Sequence, residues 1–341
     1  MKKQAIIAIV GPTATGKSAV AVAIAQKIAG EVISADSRQV YRGLDIGTGK
    51  IPRDRIKNQE LGIKGGYFYK GIRHHLIDVA DPKRQYTVVQ FQRAAQRAIR
   101  AITKRKNVPV ITGGTNLYID ALLYDIRFPE IKKDAALRTT LEKKPAQELF
   151  VLLKKQDPRR AAMIDRHNKR RLIRALEIIA TEGKTPDLSA PFLAHHPPRW
   201  HSPYRTCVIG ISRSPENLRN RIDRRLRQRI TGGMIREVAD LKNAGLSWKR
   251  LESFGLEYRY VALMLQGKLP PDAYAKGPSR AVHVRGCAPR DTTALFKILR
   301  EKIWQYAKRQ TTWLKRNPNI VWVKNSREAL AIARRHLKTA C

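Results

Sequence analysis

Residues 11–18 read GPTATGKS and fit the phosphate-loop pattern GxxxxGK[ST] at every required position. Glycines in such a loop let backbone amides turn onto phosphate oxygens, and the N-terminus of the following helix adds partial positive charge. An ordinary glycine-rich turn is the alternative, and it is disfavoured because the motif lies between a strand pattern and a helix pattern. The sequence therefore predicts a bound di- or triphosphate and does not say which.

Each residue of this loop is a candidate ligand of the diphosphate. Lys17 can neutralise phosphate charge, and the Ser18 hydroxyl can hold Mg²⁺, the cofactor that we expect. The predicted diphosphate-binding residues are Gly11, Pro12, Thr13, Ala14, Thr15, Gly16, Lys17 and Ser18.

Two other turns follow strand-like runs and carry side chains that could do chemistry. Asp36 comes after VISA, and Gly113-Gly114-Thr115 comes after VPVIT. Ligands of open α/β sheets bind beyond the carboxyl ends of the strands, so both turns should face the phosphate loop. Asp36 could act as a general base, coordinate Mg²⁺ through water, or only cap a helix. Thr115 could bind phosphate or cap the next helix, and position alone does not separate these roles.

Strands and helices alternate in the first 129 residues, which is typical of a parallel α/β sheet. The apolar run at 5–10 imitates a secretion signal, but it is short and ends at Gly11-Pro12, so we predict a buried strand. The predicted strands are 5–10, 31–36 and 108–112, and the predicted helices are 17–28, 87–102 and 115–123.

The pattern changes after Pro129. Residues 130–200 are mostly helical by pattern and end in a Pro- and His-rich linker, which predicts a helical insertion domain. A strand at 207–211 then returns the chain to the sheet, and the rest of 201–341 reads as a basic helical C-terminal region. The predicted fold class is α/β, with a parallel-sheet core over 1–129 and 201–341.

The charge of the chain points to a polyanionic partner. Its 341 residues include 68 Lys and Arg against 28 Asp and Glu, a net charge of +40. Nucleic acid is the first candidate and an acidic membrane surface is the second. The stretch 295–327 has nine Lys or Arg and one acid, with Trp304, Tyr306 and Trp313 among them, which suits phosphate contacts combined with base stacking. Nucleic acid is therefore favoured.

Several classes of protein are disfavoured by composition. The sequence has no apolar run of about eighteen residues, which a membrane span needs. Cys207, Cys287 and Cys341 are far apart, which argues against a zinc knuckle or a disulfide framework. We expect a cytoplasmic protein that does not associate with membranes.

Six segments occur in one order along most of the chain, and together they resemble the tRNA dimethylallyltransferase family. DSRQVY and GGTNLYI are much more specific than the phosphate loop, which many NTPases share. The segments are GPTATGKS, ADSRQVYRGLDIGTGK, HHLIDVADP, VITGGTNLYIDALL, RLIRALE and YAKRQTTWL. The resemblance implies a P-loop NTPase-like fold and a loop that holds a prenyl diphosphate. It also implies transfer of a dimethylallyl group from its diphosphate to the exocyclic amine of the adenosine 3′-adjacent to the anticodon, with release of diphosphate.

The resemblance also implies roles for individual residues. Asp36 would take the proton from the adenine amine, and Thr115, Arg225 and Lys17 would act at the leaving diphosphate. The implied partners are dimethylallyl diphosphate and the tRNA anticodon stem-loop, which the 130–200 insertion would close upon, and the chain would act as a monomer. The implied tRNA contacts are Asp36, Ser37, Arg38, Gln39, Thr115, Arg138, Arg170, Arg171, Leu172, Ile173, Arg174, Glu252, Ser253, Phe254, Gly255, Leu256, Glu257, Ile303, Trp304, Gln305, Tyr306, Ala307, Lys308, Arg309 and Gln310.

The chain departs from the family pattern at two places. Residues 272–293 contain Gly, Pro and Cys where relatives continue a helix, and Arg229 stands where they commonly carry an apolar Met. The sequence shows no C-terminal zinc finger, so the resemblance is to bacterial enzymes.

Two other functions compete with a tRNA prenyltransferase. A P-loop kinase or an isopentenyltransferase acting on free adenine nucleotides would not need a net charge of +40. An RNA-binding ATPase would use the loop as a switch, and the sequence shows no clear second acidic strand motif for it.

Overall fold

The computed structural model describes residues 3–54, 66–126, 128–129, 134–185, 202–269 and 292–339. The chain divides into two compact units. Residues 1–125 and 202–341 form the first unit, and residues 126–201 form the second.

Within its described residues, the first unit contains a seven-stranded sheet with the strand order β3-β4-β2-β5-β1-β6-β7. All neighbouring strands are parallel except β3 and β4. The strands are β1 (Ala5–Val10), β2 (Gly30–Ser34), β3 (Tyr67–Tyr69), β4 (Ile72–His75), β5 (Val108–Thr112), β6 (Arg205–Ile211) and β7 (Ile320–Val323). The α/β fold class is confirmed.

Helices cover the sheet and make up the second unit. The helices that precede the second unit along the chain are α1 (Lys17–Lys27), α2 (Val88–Lys104) and α3 (Asn116–Leu123). The second unit contains α4 (Ala135–Lys143), α5 (Ala146–Gln156), α6 (Pro158–Met163) and α7 (Lys169–Glu182). The first unit resumes with α8 (Pro215–Thr231), α9 (Met234–Asn243), α10 (Trp248–Glu252), α11 (Leu256–Leu265), α12 (Thr293–Leu314) and α13 (Ser326–Lys338).

Strand β1 shows why the apolar run at 5–10 is continuous. Side chains alternate between the two faces of a strand, and both faces of β1 are covered. Ile7 and Ile9 belong to the core with α1 and α13, whereas Ile6 and Ala8 belong to the core with α2 and α3. The predicted strand at 5–10 is confirmed, and it delivers the phosphate loop to the carboxyl edge of the sheet.

A third core lies among the C-terminal helices of the first unit. Buried side chains from α8 to α12 pack there with Val40, Tyr41 and Leu44, which follow β2. This packing brings α8, α11 and α12 against the segment that continues from Asp36. The basic C-terminal helices are therefore part of the same folded unit as the sheet.

The second unit has its own small core, which includes Leu149, Leu153 and Leu172. Its buried Glu177 pairs with Arg138 at 2.9 Å and with Arg174 at 3.3 Å. The unit spans residues 126–201, compared with the predicted insertion at 130–200. Its binding of an anticodon stem-loop stays a prediction.

Three short strands were not predicted. β3 and β4 form a hairpin at one edge of the sheet, and β7 lies at the other edge within a region that we expected to be helical. In β7 only the first and last residues are buried, so its four residues show neither alternation nor a fully buried run. In the sequence these four residues, IVWV, form a short apolar run between NPN and KNS, which is consistent with a strand but too short to be distinguished from part of a helix by periodicity. Among the described residues, no helix is long and apolar enough to cross a membrane.

A buried carboxylate joins three elements at the sheet. Glu31 of β2 accepts hydrogen bonds from His75 Nε2 at 2.7 Å, from Arg105 at two 2.8 Å contacts, and from Asn107 at 2.9 Å. Burial alone raises the pKa of the Glu31 carboxyl, but these hydrogen bonds outweigh it and hold the pKa well below its ordinary value of 4.5. The ionised carboxylate therefore stabilises the junction of β2, β4 and the turn after α2.

We expect Glu31→Gln to lower the free energy of unfolding by about 2 kcal/mol near neutral pH, because it removes charge-assisted hydrogen bonds from a buried site. Because the folded-state pKa is depressed, the wild-type advantage is present above pH 4.5 and declines as the pH falls below that value. Urea denaturation of both proteins at neutral and acid pH measures it. An equal difference in stability at both pH values would rule out the charge as its source.

Candidate functional site

A cavity of about 260 Å³ lies at the carboxyl edge of the parallel strands in the first unit. Its walls come from the phosphate loop, the turns after β2 and β5, the 47–49 segment, and helices α8, α11 and α12. The lining includes Lys17, Ser18, Asp36, Thr115 and Arg225, which the sequence analysis had singled out.

The phosphate loop needs glycine at two positions. Gly16 has φ +91° just before α1, a conformation that side chains rarely adopt. Gly11 has φ +148°, and a Cβ there would lie 2.9 Å from the Ile211 carbonyl oxygen of β6. The loop can therefore pack against β6 and curl into the start of α1, with the Lys17 ammonium donating to the Pro12 carbonyl at 3.3 Å.

The cavity concentrates buried positive charge. Burial, followed by the nearby Arg225 guanidinium, lowers the pKa of Lys17 to about 8, although Asp36 opposes the shift. Burial and then Arg229 lower the pKa of Arg225 to about 10. Burial and repulsion from neighbouring arginines disfavour the charged forms of these two side chains, and an anion bound between them would stabilise their charge. The cavity therefore suits a phosphate-bearing ligand.

Asp36 and Thr115 lie on two turns that contact each other. Asp36 Oδ1 accepts from the backbone amides of Arg38 at 2.9 Å and Gln39 at 3.4 Å, so this oxygen caps the turn. Its Oδ2 lies 3.2 Å from the point where a Cβ on Gly114 would stand. The Thr115 hydroxyl accepts from the Ser37 amide at 2.9 Å. Capping therefore occupies one carboxylate oxygen of Asp36 and does not exclude a chemical role for the other.

Gly113 permits this close approach of the two turns. A Cβ at position 113 would lie 2.0 Å from the Ala35 carbonyl oxygen, a distance that no side chain can occupy. Position 113 must therefore be glycine for the turn after β5 to lie against the end of β2.

Helix α8 supplies arginines to the site from one side. The Arg221 Nε donates to the Ala14 carbonyl of the phosphate loop at 2.6 Å. Arg229 pairs with Glu257 of α11 at 2.6 Å, with both side chains largely shielded from solvent. Arg229 therefore replaces the expected apolar Met with a buried ion pair beside Arg225.

Sequence reasoning missed the residues that hold the 45–47 segment. Glu237 of α9 accepts from the backbone amides of Asp45 at 3.0 Å, Ile46 at 2.6 Å and Gly47 at 3.0 Å, and from the Tyr258 hydroxyl at 2.6 Å. The segment DIGTGK belonged to the family resemblance, but its contact with α9 joins positions about 190 residues apart. No local pattern marks Glu237 for this task.

The predicted tRNA contacts of the first unit fall into two groups, those that line the cavity and those that do not. Ser37, Arg38 and Gln39 line the cavity. So do Phe254, Gly255, Leu256, Glu257, Ile303, Tyr306 and Gln310, whereas Glu252, Ser253, Trp304, Gln305, Ala307, Lys308 and Arg309 do not. On α12, Gln305, Lys308 and Arg309 are exposed and Ile303, Ala307 and Gln310 are buried.

Trp304 lies between two cations. The Arg219 guanidinium is 4.5 Å from the centroid of the Trp304 ring, and the Lys308 ammonium is 5.9 Å from it. This arrangement adds Arg219, which the sequence analysis did not single out, to the basic surface of α12.

The predicted contacts of the second unit also divide by exposure. Arg170 and Arg171 are exposed, whereas Leu172 and Ile173 are buried in the core of that unit. Arg138 and Arg174 engage Glu177. The atypical 272–293 stretch lies outside the described residues up to position 291, and α12 begins at Thr293.

The donors in the cavity fit Mg²⁺. The Ser18 hydroxyl and the Asp36 carboxylate both line it, and they are hard oxygen ligands. The described residues contain no group of three His, Cys, Asp or Glu side chains able to hold a metal ion. Mg²⁺ commonly takes only one or two protein ligands and completes its shell with phosphate and water, so the Ser18 hydroxyl could hold it without such a group and leave Asp36 available for another role.

Comparisons with known proteins give matches over most of the chain. The IPP transferase family model matches residues 39–317, and an isopentenyl transferase model matches residues 4–62. A tRNA dimethylallyltransferase from Trichlorobacter lovleyi is 36% identical over 97% of this chain and 95% of its own length. One from Treponema denticola is 37% identical over 91% of each chain. The crystal structure of a Bacillus halodurans tRNA isopentenylpyrophosphate transferase is similar with a TM-score of 0.65 at 31% identity, covering 99% of this chain and 98% of that one.

The lowered pKa of Lys17 predicts how phosphate binding depends on pH. Lys17 is charged below about pH 8 and neutral above it, so the affinity for pyrophosphate should fall several-fold between about pH 7 and about pH 9. Isothermal titration calorimetry measures this affinity. Lys17→Met is the control. Its side chain does not titrate, so its change of affinity with pH reports the ionisation of pyrophosphate. A wild-type to variant affinity ratio that stays constant over this range would contradict the prediction.

Proposed function

This chain belongs to the IPP transferase family, and on that premise we propose the donor and the acceptor of the reaction in its cavity. The chain is a prenyltransferase that transfers a dimethylallyl group to tRNA. In the proposed reaction the donor is dimethylallyl diphosphate, and the acceptor is the exocyclic amine of the adenosine 3′-adjacent to the anticodon. The observation that carries the proposal is that Lys17, Arg225 and Asp36 line one cavity.

The cations of the cavity suit the departure of diphosphate. As the bond from the first prenyl carbon to the bridging oxygen breaks, negative charge grows on the leaving diphosphate. In this proposal Lys17 and Arg225, which both line the cavity, receive that charge together with the amides of the phosphate loop. Mg²⁺ held by Ser18 and phosphate oxygens would supply further charge neutralisation. Buried cations are effective here because they interact strongly in surroundings from which water is largely excluded.

The remaining step is proton removal from the acceptor. As the amine nitrogen forms its bond to the prenyl carbon, it must lose a proton, and the Asp36 carboxylate is the base that we assign. Oδ1 of Asp36 accepts from backbone amides, and no hydrogen bond to Oδ2 occurs among the described residues, so Oδ2 is the proton acceptor in this proposal. Thr115 and Ser37 hold the neighbouring turn in place through their mutual hydrogen bonds.

The acceptor must reach an enclosed site. An adenine in a stacked anticodon loop has to leave its stack before its amine can approach Asp36. The exposed Lys308 and Arg309 of α12 can contact the RNA backbone while the cavity receives the base. The net charge of +40 supports a large RNA partner over a free nucleotide.

One assay separates the candidate functions. The full chain is incubated with Mg²⁺, labelled dimethylallyl diphosphate, and either an anticodon stem-loop or AMP. Label in the stem-loop supports the proposal, whereas label in AMP alone supports a small-molecule transferase. If neither acceptor is labelled, both transferase functions are rejected.

In the same assay we expect Asp36→Asn to lose most transfer, by roughly a hundredfold or more, because the variant has no general base. Asparagine keeps an oxygen that can cap the 38–39 amides, so the turn and the affinity for the stem-loop should be retained. The matched control is Asp240→Asn on the exposed face of α9, which should transfer at the wild-type rate. Unchanged turnover in Asp36→Asn would remove Asp36 from the base role.

The exposed face of α12 predicts a separate effect on RNA affinity. Replacing Lys308 and Arg309 together by Ala should weaken stem-loop binding and reduce the slope of log affinity against log salt by about 2, because two phosphate contacts are lost. Pyrophosphate affinity should not change. Replacing Arg334 and Arg335, an exposed basic pair on α13, is the control. If both double variants lower the slope equally, α12 is not a specific RNA contact.

A further inference from the structure

We propose that Gln310 is a positioning residue that fastens the phosphate loop to the Gly113–Thr115 turn, rather than a residue that contacts RNA. Its kinetic consequences rest on the function proposed above, whereas its effect on phosphate binding can be measured without turnover. The resemblance to relatives assigned Gln310 to tRNA, and the contacts of its side chain support the different role.

The Gln310 carboxamide joins the two loops directly. Its Oε1 accepts from the backbone amide of Thr13 at 2.8 Å, and its Nε2 donates to the Gly114 carbonyl at 2.7 Å. The Gln310 residue is 3% exposed, whereas Thr13 and Gly114 are partly exposed at the cavity, so these bonds are partly shielded from water. One end of the carboxamide therefore holds the phosphate loop and the other holds the turn beside Asp36.

Neighbouring residues strengthen the connection. The Tyr306 hydroxyl, one helical turn earlier on α12, donates to the same Gly114 carbonyl at 2.9 Å. The Asn116 side chain donates to the backbone carbonyl of Gln310 at 3.4 Å. The inner face of α12 is thus bonded to the turn at several points, while Gln310 carries the bond to the phosphate loop.

This connection fixes the separation between the two halves of the site. Thr13 belongs to the loop that would hold the diphosphate, and Gly114 lies next to Asp36 Oδ2 and precedes Thr115. A reaction between a donor on one loop and an acceptor activated at the other depends on that separation. Loops that are already ordered also avoid the entropic cost of ordering when the ligand binds.

The chemistry of the side chain explains why glutamine suits this position. A carboxamide has an acceptor and a donor on one planar group, and the two loops present one donor and one acceptor. Glutamate would place a carboxylate oxygen against the Gly114 carbonyl. Alanine would remove this partner from the partly buried Thr13 amide and would leave the Gly114 carbonyl with its bond from Tyr306.

An RNA contact is a poorer explanation of the same residue. Both polar ends of the Gln310 side chain are engaged within the protein, and the side chain is buried. Between Ile303 and Gln310, the exposed positions of α12 are Gln305, Lys308 and Arg309. The face of the helix that is available to the RNA backbone is therefore a different one.

The test compares Gln310→Ala, Gln310→Glu and Tyr306→Phe in the full chain. Pyrophosphate binding is measured by calorimetry, stem-loop binding by filter retention without donor, and transfer by steady-state kinetics. The control is Thr312→Ala, an exposed residue of the same helix whose hydroxyl bonds to the Lys308 carbonyl. Melting temperatures of all variants are recorded.

We expect Gln310→Ala to raise the dissociation constant for pyrophosphate and the KM for donor roughly tenfold, because the hydrogen bonds to both loops are lost. Gln310→Glu keeps an oxygen that can accept from the Thr13 amide, so its effect on pyrophosphate comes from the carboxylate oxygen opposed to the Gly114 carbonyl and from the added negative charge. Stem-loop affinity should stay within about twofold of wild type. Tyr306→Phe keeps the bond to the phosphate loop, so its effect on pyrophosphate should be smaller. Thr312→Ala should match the wild type.

Two results would overturn the proposal. Weaker stem-loop binding with unchanged pyrophosphate affinity would make Gln310 an RNA contact. A lower melting temperature with unchanged pyrophosphate affinity would make it a structural residue of the core. Failure of wild-type transfer would reject the proposed function instead, and the pyrophosphate comparison would still decide the role of Gln310.

Discussion

The burial of cations at the cavity, with repulsion from neighbouring arginines as a second cause, is the constraint on which the site depends. Lys17 and Arg225 line one cavity, and burial lowers the pKa of both side chains because it removes water from their charged forms. Such an arrangement costs free energy in the empty protein and is relieved when an anion binds between the cations. The fold holds the cations there through contacts elsewhere, including the pairing of Arg229 with Glu257 and the bond from Arg221 to the phosphate loop. In the proposed function, the bound diphosphate would supply the negative charge that offsets these cations.

Close backbone approach is the second requirement of this site. Gly11 lies against β6, and Gly113 lies against the end of β2 at distances that exclude a side chain. Gly47 likewise stands where a Cβ would be 2.7 Å from the Tyr258 ring. The three turns can converge on a small cavity only because glycine removes the side chains that would separate them. The cost is loops with little packing of their own, which explains why distant side chains such as Glu237 hold them by hydrogen bonds.

The parts of the site that the sequence predicted are those set by local pattern. The buried strand at 5–10, the loop that follows it and the position of Asp36 at a strand end all follow from short segments and from the rule that ligands bind at the carboxyl edge of a parallel sheet. The bonds of Glu237 to the 45–47 segment and of Gln310 to Thr13 join residues about 190 and 297 positions apart. Those contacts depend on how α9 and α12 pack, and packing across such separations leaves no signal in one sequence. The short strand β7 was missed for another reason, since its apolar run IVWV has only four residues and such a short run does not distinguish a strand from part of a helix.

Helix α12 explains why a chain of such high charge can also hold a precise small-molecule site. Its inner face, with Tyr306 and Gln310, bonds to the turns that carry the chemistry, and its outer face presents Lys308 and Arg309 to solvent. The two faces share one rigid backbone of 22 residues. An RNA bound to the outer face would therefore be held at a fixed distance from Asp36 and the phosphate loop, without a flexible connection between binding and chemistry. The positive charge then contributes to the placement of the acceptor as well as to its attraction.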